Sequence, residues 1–285
     1  MSPKLLGGNP SESSAMAIMK TIARPGIAFA LITGCALSPP LETGAKAASR
    51  FVYLGQPVHP LCVRFSLEES SVEPNDLSSC AHNTPATSDR RGWLAADFPS
   101  GEGRGNVAYR ALAAKGDRFL IAEDYWGGGT GQWSFLFWVR LANGRLTKDR
   151  DEQGGDRCAG GMSDFTVDSA TVRYKAVEPT SDILKLAGVA VSDSLRGLLR
   201  SSYPDCDGIA TYVYDPATDT TRFTSLTLLG NPLPRSADAG PPPPRDPQVC
   251  FDSLARRYID EGKQTLAPAT LREFGRTFST RCGAG

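Results

Sequence analysis

The chain has almost no histidine; His59 and His82 are the only two. It also lacks C-x-x-C, G-x-S-x-G, S-x-x-K and any Gly-Lys-Ser/Thr loop. Each absence removes a chemistry. A zinc centre of the usual Cys/His type has too few ligands at workable spacing. Nucleophilic serine catalysis lacks its familiar motifs, and a phosphate-binding loop lacks its lysine. No cofactor and no metal are expected. An excess of charge is missing as well, because Lys plus Arg and Asp plus Glu number 31 each. Without a basic field, nucleic acid and anionic lipid surfaces are not expected partners.

What is present begins with an export signal. Lys20 and Arg24 precede the twelve-residue apolar run "GIAFALITGCAL", which is too short for a membrane-spanning helix and suits the core of a signal peptide. Residues 1–15, polar and rich in Ser and Gly, read as an upstream extension, with Met16 or Met19 as alternative starts. Within the run, "ITGC" (Ile32 to Cys35) resembles the lipobox of bacterial lipoproteins. That resemblance implies cleavage before Cys35 and acylation of its sulfur. The competing site is the A-x-A pattern Ala45-Lys46-Ala47. Residues 1–47 are therefore assigned to extension and signal. Either cut leaves an extracytoplasmic protein, membrane-anchored in the first case and periplasmic or secreted in the second.

Cysteine usage agrees with export. Setting Cys35 aside leaves Cys62, Cys80, Cys158, Cys206, Cys250 and Cys282, an even set suited to a disulfide framework. Nearest-neighbour pairing is expected, 62–80, 158–206 and 250–282, since each pair brackets a local unit. Cys62 lies near His59 and Cys80 near His82, but in an exported chain disulfides outweigh Cys–His catalysis.

From residue 48 to 230 the pattern is one of strands and turns. Period-two runs such as "NVAYRALAA", "DRFLIAEDYW", "QWSFLFWVRL", "ATVRYKAV" and "IATYVY" are punctuated by Gly, Asn, Asp and Pro, which predicts antiparallel hairpins. Helix is expected between Thr180 and Ser202, where Ser192 would cap a short helix with Leu195, Leu198 and Leu199 inward. Seven of the seventeen residues from Asn231 to Pro247 are proline, so residues 231–247 read as a semi-rigid linker. Residues 248–285 form a helical hairpin. Phe251, Leu254, Ala255, Tyr258 and Ile259 share one helical face, and Leu271, Phe274 and Phe278 share another, with Gly262 as a stop and Pro268 near a start. Antiparallel packing would bring Cys250 and Cys282 together. A unit this small cannot bury a sufficient core alone, so it should dock on the strands. The fold class is mainly β, α+β overall: an antiparallel hairpin-built domain followed by a small disulfide-tied helical hairpin.

Chemistry is sought first in "EDYWGGGTGQW". Neither the P-loop nor the G-x-G-x-x-G spacing is met, and Trp133, Phe135, Phe137, Val139 and Leu141 continue as a strand, so Gly127–Gly131 is read as a hairpin connection. Glu123, Tyr125, Trp126 and Trp133 crowd it and form the candidate binding lip, since aromatic faces stack on sugars. Glu123 and Asp124 are adjacent and point to opposite faces, so an acid–base pair would need a further carboxylate such as Asp97 or Asp164. "DRDEQGGD" (Asp149 to Asp156) matches the front half of a calcium loop but has Gly160 where the bidentate Glu belongs, and is read as a hydrated loop. The leading expectation is a lipid-anchored envelope protein of non-catalytic binding type, with an envelope protein or glycan as partner and membrane contact through the anchor alone. The alternative is an envelope glycan hydrolase using carboxylates near Gly127–Gly131.

Overall fold

The computed structural model describes residues 39–63, 75–80, 84–101, 103–199, 206–230 and 246–282. Cys35, His82 and most of the proline-rich segment lie outside the described residues. The chain opens with β1 (Leu41–Thr43), α1 (Ala45–Arg50), β2 (Val52–Tyr53), β3 (Gln56–Pro57), α2 (Pro60–Val63), β4 (Asn75–Asp76) and β5 (Thr87–Ser88). Five long strands follow as a meander: β6 (Leu94–Ser100), β7 (Gly103–Lys115), β8 (Arg118–Trp126), β9 (Gln132–Ala142) and β10 (Arg145–Asp156). With β4 and β5 at its ends they form one antiparallel sheet, ordered β4-β10-β9-β8-β7-β6-β5. One of the two-residue connections shows its cause in sequence. Asn143 and Gly144 both hold positive φ (53° and 71°) between the paired residues Ala142 and Arg145, as the two-residue turn that matches strand twist demands.

Strand β1 extends this sheet along β7, pairing Leu41 with Lys115 and Thr43 with Ala113, beyond the point where β6 stops at Tyr109. Residues 39–47 are thus built into the domain. Gly44 donates its amide to Leu112, Arg50 binds Glu42 at 2.7 Å, and Ala47 has no exposed surface.

The second sheet comprises β11 (Met162–Asp168), β12 (Thr171–Glu178), β13 (Gly208–Asp215), β14 (Thr220–Leu228) and β15 (Thr265–Leu266), in that order. Between β12 and β13 lie α3 (Thr180–Leu186) and α4 (Asp193–Arg196), and α5 (Pro247–Asp260) and α6 (Pro268–Cys282) flank β15. Ser192 caps α4 as expected, accepting from the Leu195 amide, and Leu199 is buried. Leu198 is a correction: it is 57% exposed, because α4 ends after Arg196 and its apolar stripe runs out.

Both faces of the large sheet are covered, which is why β8 reads as the unbroken apolar run "FLIA". Leu120 and Ala122 face the second sheet and share a core with Trp138, Tyr174, Tyr212 and Leu226. Phe119 and Ile121 face the other way, toward Ala47, Phe51 and Cys62 of α1 and α2. The helical stripes also enter the inter-sheet core, where Phe251, Leu254, Tyr258, Leu271, Phe274 and Phe278 are buried. Residues 39–285 cluster as one compact unit, with the helical hairpin docked as its composition requires.

All three expected disulfides are formed: Cys62–Cys80, Cys158–Cys206 and Cys250–Cys282, with Cα separations of 5.7, 4.8 and 5.8 Å. Such bonds persist in oxidising compartments and point to an extracytoplasmic protein. No helix among the described residues is long and apolar enough to cross a membrane. The segment Asp149–Asp156 is a second correction, since it is part of strand β10 and not a loop. Its polar composition is overridden by the ladder with β9, in which Phe135 lies opposite Gly154 and covers it, while Asp149 reaches Arg118 at 2.5 Å.

Candidate functional site: a cleft between the sheets

The glycine loop connects β8 to β9, with Trp126 paired to Gln132 across it, so the strand–loop–strand reading holds. Its backbone is pinned. Ser100 donates to the Gly127 carbonyl at 2.5 Å, and the Trp126 indole donates to the Gly129 carbonyl at 2.6 Å. Gly128 holds φ +85°, and a Cβ there would sit 2.7 Å from the Arg104 carbonyl oxygen. Gly128 therefore serves close backbone packing on the β6–β7 turn, whereas a Cβ on Gly129 would meet nothing.

The four lip residues do not share one open surface. Strand register sends Tyr125 and Trp133 to one face, where Tyr125 is buried and stacks on Phe98 with centroids 5.7 Å apart. Trp133 is half-buried, its ring 5.9 Å from that of Tyr125 and folded over Gly131. Glu123 lies on the same face, between residues of the α1/α2 core, and has no exposed surface. Trp126 alone is open, at 42%. A flat sugar platform is not assembled here.

The opposite face of the same strands carries Asp124, Gln132 and Ser134, and there the sheets part to leave a cavity of about 350 Å³, which Trp133, alone of the four lip residues, also lines. Across it stand Met162, Asp164 and Phe165 of β11, with Arg157 at one end and Arg91 and Trp93 at the other. Arg110 of β7 also lines it and donates to the Phe165 carbonyl at 3.2 Å, while the Ser134 hydroxyl accepts from the Met162 amide. These two bonds tie the sheets together around the opening. A second cavity, of about 390 Å³, shares Arg91, Trp93 and Asp124 and continues toward β5 and β6. Trp93 therefore stands where the two hollows meet, its ring edge-on to Phe165 at 6.0 Å.

Two carboxyls are pushed well up, both chiefly by burial: Asp124 to about 6 and Glu178 to about 7. Glu178 is sealed in, accepting from the Tyr212 hydroxyl at 2.9 Å. Asp124 opens on the cleft. Of the carboxylates suggested as its companion, Asp164 lines the same cavity, paired with Lys175 at 2.9 Å. Asp97 lies elsewhere, binding Asn106 at 2.8 Å. The Cys–His idea has no thiol to use, since Cys62 and Cys80 are bonded to each other and His59 faces the Thr84 carbonyl at 2.8 Å. Among the described residues no cluster of His, Cys, Asp or Glu could hold a metal ion.

Sequence reasoning passed over Trp93, Arg91 and Arg110. Only Arg110 left a signal, as a lone cation inside the apolar run "NVAYRALAA". Comparison of the chain with protein-family models, curated proteins and solved structures found no match.

Proposed function

We propose that this is an exported bacterial envelope protein, lipid-anchored through Cys35, that holds an envelope glycan in the inter-sheet cleft without cleaving it. The observation that carries the binding reading is the cleft itself. An aromatic side chain, Trp93, stands between two hollows whose walls mix arginine, aspartate and serine with apolar side chains, a combination suited to the apolar face and hydroxyl rim of a sugar.

The anchor is supported by the way residues 39–47 are used. A cut after Ala47 would remove β1 from β7, Glu42 from Arg50 and a buried alanine from the α1 core. A cut before Cys35 spares all three. Acyl chains contribute about 0.8 kcal/mol per buried CH₂, so several would hold the domain at a membrane. Expressed in a bacterial host, the mature protein is expected to begin at Cys35 with acyl mass added. A lipid-free start at Ala48 would contradict the anchor.

A second reading is favoured by one observation. Asp124, its carboxyl raised to about 6, has the character of a general acid, and Asp164 shares its cavity. Incubation with purified envelope polysaccharide separates the two. Binding predicts retention with no new reducing ends; hydrolysis predicts new reducing ends that vanish in Asp124→Asn.

A further inference from the structure

We infer that the ligand of the cleft is acidic: a short saccharide bearing a carboxylate, received by Arg110 and Arg91 with its ring against Trp93. This rests on the glycan reading above and gives it a chemical class.

Two of the cations on the cleft wall have no ion pair among the described residues. Arg157 is 4.0 Å from Asp156, and Lys175 holds Asp164 at 2.9 Å, so each of these pairs is compensated within the protein. Arg110 donates to a backbone carbonyl, and among the described residues no carboxylate ion-pairs with it or with Arg91. Asp89, at the far hollow, spends one carboxylate oxygen on the amides of Arg91 and Trp93. Asp124 is the remaining acid on the wall, and its burial opposes ionisation. The cleft is therefore left with two guanidinium groups that no described carboxylate ion-pairs, and with Asp124, which is charged at pH 7.5 and becomes neutral below about pH 6.

A guanidinium in a hollow presents paired N–H groups that match the two oxygens of a carboxylate, and charge assistance roughly doubles the strength of each bond. Hydroxyls of a neutral sugar would satisfy the donors without the charge. Neutral Asp124 can donate to a ring or hydroxyl oxygen, whereas ionised Asp124 would repel the incoming carboxylate. Trp93, at the junction, is placed to take the apolar ring face. Each component thus meets a different part of one ligand.

The test uses the intact protein on an array carrying uronate-bearing, muramate-bearing, phosphate-bearing and neutral oligosaccharides. Carboxylate-bearing members are expected to bind at least about tenfold more tightly at pH 7.5 than their neutral counterparts, the gain expected of a charge-assisted pair. Arg91→Gln and Arg110→Gln should each remove that preference and leave neutral members unchanged. Arg91 is exposed, so its variant keeps the test valid if loss of the Arg110 bond disturbs folding. Lowering the pH to 5.5 should strengthen binding of acidic members, and Asp124→Asn should show that strength already at pH 7.5. Equal binding of neutral and acidic members would overturn the acidic class and leave the glycan reading standing. Preference for phosphate members alone would overturn the carboxylate. Acidic binding unmoved by both arginine variants would place the ligand elsewhere, and no binding to any member would end both readings.

Discussion

Trp138→Ala is expected to lower stability by about 3–5 kcal/mol, the range for removing a large buried ring. Trp138 is 1% exposed in the middle of β9, on the face that meets the second sheet. Its indole donates to the Tyr214 hydroxyl at 2.7 Å, and that hydroxyl in turn donates to Asp219 at 2.6 Å. Above the ring, the Arg118 guanidinium lies 4.9 Å from the centroid. The side chain thus couples the sheets by area and by a buried hydrogen bond, while the cation–π contact lies within the large sheet. Trp138→Phe keeps most of the apolar volume and removes the donor, so it should cost less, about 1–3 kcal/mol. Urea denaturation of both variants gives the comparison. An alanine variant within 1 kcal/mol of wild type would mean that the two sheets do not share the core described.

The second large effect concerns the Cys250–Cys282 bond. It closes a segment with a sequence separation of 32 and joins the outer ends of α5 and α6. In the chain-entropy account a loop of that size stabilises by about 3–4 kcal/mol. The double variant Cys250→Ser, Cys282→Ser should lose that amount without unfolding. Phe251, Phe274 and Phe278 remain buried, with the Phe251 and Phe274 rings 5.4 Å apart, and β15 still pairs Leu266 with Leu226. Non-reducing peptide mapping checks the pairing itself. Recovery of Cys250 joined to any other cysteine, or an unchanged denaturation midpoint in the double variant, would count against this account of the hairpin.

These elements show what could be read from the chain alone. The helical stripes, the Asn143-Gly144 turn and the local disulfide pairs rest on residues near one another in sequence, where spacing alone fixes which side chains meet. Strand β10 was hidden because its partner, and not its composition, makes it a strand. Opposite Phe135 a glycine is covered, and an acidic run becomes part of a ladder. Strand β15 is two residues long and exists only because the docked hairpin brings Thr265 and Leu266 beside β14.

The candidate site escaped for a related reason. Glycine and tryptophan concentrate attention on residues 123–133, yet register divides those side chains between two faces. The cleft takes Asp124, Gln132 and Trp133 from that stretch, but also Arg91, Trp93, Arg110 and β11, which are scattered along the chain and meet only when the sheets pack. A cation and a carboxylate inside apolar strands were the legible trace. Period two assigned Asp124 a face, and only the second sheet turned that face into a cavity wall.

The central claim is that ligand enters between the sheets and not at the glycine loop. Amide hydrogen exchange on the intact protein, with and without a retained acidic oligosaccharide, tests it most directly. The account predicts added protection in peptides covering Arg91–Trp93, the end of β8 at Asp124 and β11 from Met162 to Phe165, with the 127–131 loop unchanged. Protection confined to that loop and Trp126, with the cleft peptides unmoved, would contradict it.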